Sequence, residues 1–304
     1  MQGMLYSYPE TGNDDWNIMN FFKYHGLGND YIVMDPGQVG EEPDPAQIRR
    51  ICHRNYGIGS DGILWGPLRD GKAGFRVKIF NPDGSEAEKS GNGLRIFARY
   101  LMDRCLVSEK PFVISTIGGD VTARVSDRGR SVAVEMGKVS FDSRRIPVKG
   151  PARNVINERL NIGGTELVFC AATIGNPHCV IIEDVLDIKK VKALGPEIEI
   201  HPFFPNRTNV QFVKIIDDSN INIEIWERGA GYTLASGSSA SAAAAVTHRL
   251  GRCGRHVSVH MPGGTLDIII ENDYFITLSG PVIRIAEGKL DPELFEHEEN
   301  KSII

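Results

Sequence analysis

The sequence predicts an α+β protein of two related halves, each a mostly antiparallel run of short strands around one apolar helix. Three observations lead there. With 304 residues the chain exceeds the size one hydrophobic core usually serves, so two domains are expected. Lys89-Ser90-Gly91-Asn92-Gly93 ahead of the helical run 94–100 is echoed by Ala235-Ser236-Gly237-Ser238-Ser239 ahead of 240–246. Each of these helices is flanked on both sides by strand-like segments.

Taken in order, residues 1–18 are polar and turn-rich, with Pro9, Gly12 and Asn13, and read as an extension outside the fold. Strand 21–25 enters the glycine turn 26–30, and strand 31–35 leaves it. Residues 45–52 carry apolar side chains at helical spacing behind Pro45, which suits a first helical position. A second glycine turn at 57–62 precedes strand 63–65, and the alternating strand 75–80 ends at Asn81-Pro82-Asp83-Gly84. After the first helix, strands 112–116, 121–125 and 131–136 form a meander broken at Gly118-Gly119 and at 127–129.

The second half follows the same plan. Strand 167–171 precedes the turn 175–178, and strands 209–213 and 221–226 lead to the helix 239–250. That helix is alanine-rich with few charges, which suits burial inside a curled sheet. Strands 257–261, 265–270 and 274–278 follow as a second meander. A boundary falls near 136–138, and a last strand, 281–285, is placed to rejoin the first sheet. The expected units are therefore an extension 1–18, a first domain of 19–138 with 279–304, and a second of 139–278.

Charged residues are 24% and hydrophobic residues 41%, as in ordinary globular proteins. A net charge of -5 gives no basic footprint for nucleic acid. No apolar run approaches the roughly 20 residues of a membrane span. Residues 1–18, with Glu10, Asp14 and Asp15, lack the basic and apolar regions of a signal peptide. A cytoplasmic protein without nucleic-acid or membrane partners is expected; a homodimer is compatible with the sequence, which marks no surface for it. The five cysteines form no C-x-x-C pair and no histidine stands at metal-ligand spacing, so neither disulfides, zinc nor any other metal is expected. Cys105, Cys170 and Cys253 are expected as buried free thiols. The Gly-x-Gly pairs at 26–28 and 57–59 do not open a helix after a strand, so no nucleotide fingerprint is met.

Each helix start puts a small hydroxyl residue and glycine ahead of exposed backbone amides, an arrangement that attracts anions. Capping alone explains either start; two together suggest one pocket gripping a carboxylate or phosphate.

Six motifs then occur in order: His25-Gly26-Leu27-Gly28-Asn29-Asp30; Gly57-Ile58-Gly59 with Asp61-Gly62; Asn81 with Asp83-Gly84-Ser85-Glu86; Gly91-Asn92-Gly93; Gly175-Asn176-Pro177-His178; and Glu227-Arg228-Gly229 with Gly231. Together, over about residues 19–290, they resemble the diaminopimelate epimerase family. The resemblance implies two pseudo-symmetric α+β domains with the active site in the cleft between them. It implies cofactor-independent inversion of the α-carbon of a small amino-acid substrate, from LL- to meso-diaminopimelate, in lysine and cell-wall precursor synthesis. The family's two acid/base cysteines fall at positions 90 and 236, making Ser90 and Ser236 the catalytic candidates. Gly91, Asn92, Gly237 and Ser238 would present amides to the α-carboxylate as its neighbouring carbon is deprotonated. Asn29, Asn81, Asn176 and Asn209, otherwise readable as turn residues, become substrate ligands. Glu227 and Arg228, otherwise a surface pair, become the partners of the ammonium and distal carboxylate, the second through arginine's planar fork. His178 would orient or polarise a catalytic group near neutral pH.

Serine at both positions departs from the family. A thiol ionises near about 8.5 and a hydroxyl, like water, near about 15.7. At about 1.36 kcal/mol per unit, an alkoxide costs on the order of 10 kcal/mol more than a thiolate. Helix ends offset about 1–2 kcal/mol of that. Three readings stand: an engineered double Cys to Ser form, a natural paralogue with altered chemistry, or a protein that binds an amino acid without turning it over. A different isomerase, racemase or dehydratase on the same scaffold is a further alternative. Tyr232 in place of the family's glutamate, and Ser238-Ser239 in place of threonine or serine and glycine, favour the natural variant.

Overall fold

The computed structural model describes residues 19–69 and 74–296, so the expected extension 1–18 and the stretch 297–304 lie outside the described residues. Strand pairing runs as one ladder in which the second half repeats the first. Asn20–Gly26 is antiparallel to Asn29–Met34, which is parallel to Ile63–Arg69, itself antiparallel to Phe75–Phe80. Phe75–Phe80 is parallel to Phe112–Thr116, and Gly119–Ser126 and Ser131–Lys138 follow as an antiparallel meander. In the second half Thr165–Thr173 is antiparallel to Pro177–Ile182, which is parallel to Asn209–Ile215, itself antiparallel to Asn220–Glu227. Asn220–Glu227 is parallel to His256–Met261, and Gly264–Ile270 and Phe275–Pro281 close the meander. The two last meander strands, Ser131–Lys138 and Phe275–Pro281, pair with each other and join the halves.

Parallel neighbours need a crossover, and helices supply all four. Gly91–Asp103 and Gly237–Arg249 occupy the same step in the two halves, and so do Pro45–Cys52 and Ile188–Glu199. The last of these is absent from the sequence reading because Gly195-Pro196 interrupts its pattern. Gly195 is required there: a Cβ would come within 2.6 Å of the Trp226 ring.

Two further expectations are corrected. The final strand begins later than residue 281: Pro281 ends the preceding strand and Ile283–Lys289 pairs antiparallel with Asn20–Gly26. Val282, buried between them, turns the chain while its carbonyl accepts from Arg99 at 3.2 Å. Cys105 is exposed rather than buried, whereas Cys170 and Cys253 are buried. It stands just past the helix end with φ of 57°, where the chain leaves the core.

The two central helices share one apolar cluster with the sheet that wraps them. Leu94, Ile96, Phe97, Ala98, Tyr100 and Leu101 of the first are fully buried, as are Ala240 and Ala242–Val246 of the second. Alanine lets the second sheet close tightly, because each side chain ends at Cβ. Among the described residues no helix is long and apolar enough to cross a membrane. Phe97→Ala is expected to lower the unfolding free energy by about 3–5 kcal/mol through lost transfer energy and a residual cavity. Urea unfolding followed by circular dichroism checks this; a loss under about 1 kcal/mol contradicts the packing described.

Candidate active site

Ser90 and Ser236 both take extended backbone and cap their helices: Ser90 Oγ accepts from the Gly93 N–H at 3.0 Å, and Ser236 Oγ from the Ser239 N–H at 3.4 Å. The first-turn amides of such helices have no intrahelical acceptor. The two starts converge. A Cβ on Gly237 would stand 3.6 Å from Gly91 Cα, and the buried Leu278 lies under both glycines. Two positive helix ends therefore abut on the wall of a cleft of about 1230 Å³, which Ser90, Gly91, Asn92, Ser236, Gly237 and Ser238 all line.

Around the first head, Asn29 donates through Nδ2 to the Asp61 carboxylate at 2.8 Å and accepts at Oδ1 from Asn92 Nδ2 at 3.0 Å. Asn92 Oδ1 accepts in turn from Arg95 Nη2 at 2.6 Å. Arg54 bridges Asp30 and Asp61, at 2.8 and 2.5 Å, and Lys23 reaches Asp30 at 3.0 Å. Burial pushes the Asp30 carboxyl up, but Arg54 and Lys23 outweigh it and leave it below its usual range. Tyr31 presents its hydroxyl to Ser90 Oγ at 3.2 Å. Burial raises that phenol to about 12, so it stays protonated at neutral pH. Asn81 lines the cleft from its turn, its Nδ2 donating to Ser85 Oγ at 3.0 Å.

Around the second head, Asn176 Nδ2 donates to Ser238 Oγ at 3.3 Å, and Ser238 and Ser236 hydroxyls lie 3.4 Å apart. Glu227 ends the strand Asn220–Glu227, Arg228 opens the turn that follows, and both reach the cleft. Burial pushes the Glu227 carboxyl above its usual range, and the neighbouring Ser236 and Thr233 hydroxyls pull it partly back. Arg228 anchors its guanidinium on the Asn206 carbonyl at 3.0 Å.

Two sequence candidates stand behind the wall instead of on it. Asn209 spends both amide atoms on protein: Nδ2 donates to the Pro177 carbonyl at 2.8 Å and Oδ1 accepts from the Arg228 N–H at 3.0 Å. It positions Arg228. His178 is fully buried with Nε2 2.9 Å from Asn176 Oδ1. Burial drives its pKa down to about 3, so the ring is neutral at pH 7 rather than titrating near it. The sequence reading missed Tyr31, Arg54 and Arg95. Tyr31 carried a legible signal, since it follows Asn29 by two residues on one strand and so shares its face.

A sequence profile of the family described as diaminopimelate epimerase matches residues 21–141 and 170–285. Diaminopimelate epimerase 2 of Nostoc sp. (strain PCC 7120) is 58% identical over 277 residues, covering 91% of this chain and 97% of that protein. Diaminopimelate epimerase of Desulfitobacterium hafniense is 40% identical over 278 residues, covering 90% of this chain and 98% of the relative. Among solved structures, a hydroxyproline epimerase from Agrobacterium vitis superposes with a TM-score of 0.67 at 16% identity, covering 92% of this chain and 94% of that one. A phenazine biosynthesis protein of the PhzF family from Bacillus anthracis gives 0.66 at 15% identity, covering 91% and 100%. At such identities the likeness is one of fold: α+β, in two domains.

The buried imidazole sets a pH dependence. Between about 3 and 6.5 the unfolded chain protonates His178 and the folded chain does not, so lowering the pH through that window destabilises the fold. Stability at pH 4 relative to pH 7 should therefore fall by about 3 kcal/mol more in the wild type than in His178→Gln. Paired urea titrations at the two pH values measure it; parallel losses in both proteins would refute the neutral buried ring.

Proposed function

The chain belongs to the diaminopimelate epimerase family, and from that premise we propose that it inverts the α-carbon of LL-diaminopimelate to give the meso form, without a cofactor. The observation that carries the proposal is the convergence of two helix starts, each headed by a hydroxyl, on one cleft. The α-carboxylate would lie against the amides of Gly91, Asn92, Gly237 and Ser238. There the negative charge that spreads from the α-carbon as its proton leaves meets fixed N–H dipoles. Arg228 would take the distal carboxylate, and Glu227 the ammonium.

Ser90 and Ser236 hold the acid/base positions, and neither hydroxyl retains negative charge easily. Each has a neighbour for one half of the transfer: beside Ser236 the Glu227 carboxylate, its pKa raised by burial, takes up the proton that leaves the α-carbon, and beside Ser90 the protonated Tyr31 phenol supplies the proton delivered to the opposite face. With this reading go a cytoplasmic location, a small-molecule substrate with no nucleic-acid partner, a homodimeric assembly, and domains of 19–138 with 279–304 and of 139–278.

In deuterium oxide the protein is expected to place deuterium at the α-carbon of LL-diaminopimelate, followed by mass spectrometry. Tight binding with no exchange would instead make it a binding protein. Restoring the acidity of a thiol with the Ser90→Cys/Ser236→Cys double variant should raise the exchange rate at least 100-fold, a small part of the thiol's advantage of about 7 pKa units. No rise would show that residues 90 and 236 do not carry the proton.

A further inference from the structure

Arg95 lies just inside the first central helix, fully buried. Nη2 donates to Asn92 Oδ1 at 2.6 Å, while Nε and Nη1 have no hydrogen-bond partner among the described residues. Burial lowers the guanidinium pKa to about 10, and no carboxylate among the described residues acts against it. Glycines make its room: a Cβ on Gly26 would stand 3.0 Å from Nη2, and one on Gly280 would collide with Nη1.

Stability does not account for this residue. A buried guanidinium that uses few of its five donors penalises the fold, and an apolar side chain of similar volume would avoid the penalty. It also puts a cation near the positive end of a helix.

Direction accounts for it. Arginine only donates, so Asn92 must turn Oδ1 toward it, which leaves Nδ2 to donate to Asn29 Oδ1. Asn29 must then offer its own Nδ2 to Asp61, which only accepts. The carboxylate at one end sets the sense of both amides, and the guanidinium at the other holds it there, because without a donor facing Oδ1 the Asn92 amide can rotate off Asn29 at the loss of one hydrogen bond. Each Nδ2 keeps a second N–H, and both residues line the cleft beside the first helix head.

We infer that Arg95 is a positioning residue that locks the Asn92 and Asn29 amides with N–H groups toward the cleft, so that this wall selects a carboxylate. The inference rests on the function proposed above and adds the device that orients its first-domain contacts.

The test compares Arg95→Met and Arg95→Lys in the full chain. Arg95→Met should keep or raise the melting temperature, yet slow α-deuterium exchange in LL-diaminopimelate at least tenfold. Arg95→Lys, still a buried donor, should recover exchange to within about threefold of the wild type. Unchanged exchange in Arg95→Met overturns the inference, and so do parallel losses of stability and exchange that lysine does not relieve. Should Arg95→Met fail to fold, Arg95→Lys decides alone, with retained exchange for the inference and lost exchange against it. Should the wild type show no exchange, the proposed function fails separately. The side-chain amide signals of Asn29 and Asn92 in ligand-free protein then settle the lock: shifts that collapse on losing Arg95 uphold it, and unmoved shifts overturn it.

Discussion

Two helix N-termini held head to head are the constraint on which the rest of the structure depends. Each carries about half a positive charge, and at van der Waals range the pair repel by about 1 kcal/mol at an effective dielectric near 20. Directly between the two starts stand only glycine and, beneath them, the apolar Leu278, so the capping hydroxyls of Ser90 and Ser236 offset the repulsion only in part. The geometry is imposed from the far ends of the helices, where each is sunk in its own curled sheet, and from the paired strands Ser131–Lys138 and Phe275–Pro281 that fix one half against the other. A carboxylate placed at the junction turns the same arrangement from repulsive to attractive.

Small residues recur wherever this geometry has to be tight. Alanine along the second central helix lets its sheet approach, Gly195 admits the Trp226 ring, and Gly26 with Gly280 leaves room for Arg95. The polar groups of the site are held from behind in the same spirit. Asn209 orients the backbone at Arg228, the neutral His178 holds Asn176, and Asn176 holds Ser238. A wall whose side chains are committed on their inner side has few conformations left on its outer side, and this is what preorganisation of a charge-stabilising site requires.

The repeat of helix starts and the alternating strands were legible because both are local: a cap, a glycine and a period of two or 3.6 leave marks within ten residues. The crossover helix Ile188–Glu199 was not, since Gly195-Pro196 breaks its periodicity and Pro196 looks like a stop. The repeat itself would have located it, as the counterpart of Pro45–Cys52 at the same step of the ladder. At the site, sequence proximity to glycine turns found the asparagines but could not separate those on the wall from Asn209 and His178 one layer behind. That distinction depends on which side of a strand faces the cleft across the sheet. Arg95 was hidden by its place in the apolar helical run 94–100, where a cation is ordinarily a solvated face.

If Ser90 and Ser236 hold the acid/base positions as proposed, the acidity that a thiol would supply has to come from their neighbours. A hydroxyl that caps a helix already accepts one N–H, so a further hydrogen bond from a substrate or proton donor finds it oriented. Its poor ability to hold charge then makes the adjoining groups decisive. Tyr31, buried and protonated, and Glu227, pushed toward neutrality by its surroundings, stand where a pair of thiols would need no help. A phenol and a carboxyl differ from each other far more than two cysteines do, so proton transfer toward one face of the α-carbon need not match transfer toward the other. Such asymmetry would alter the two directional rates, while the equilibrium between the LL and meso forms would stay that of the substrate alone.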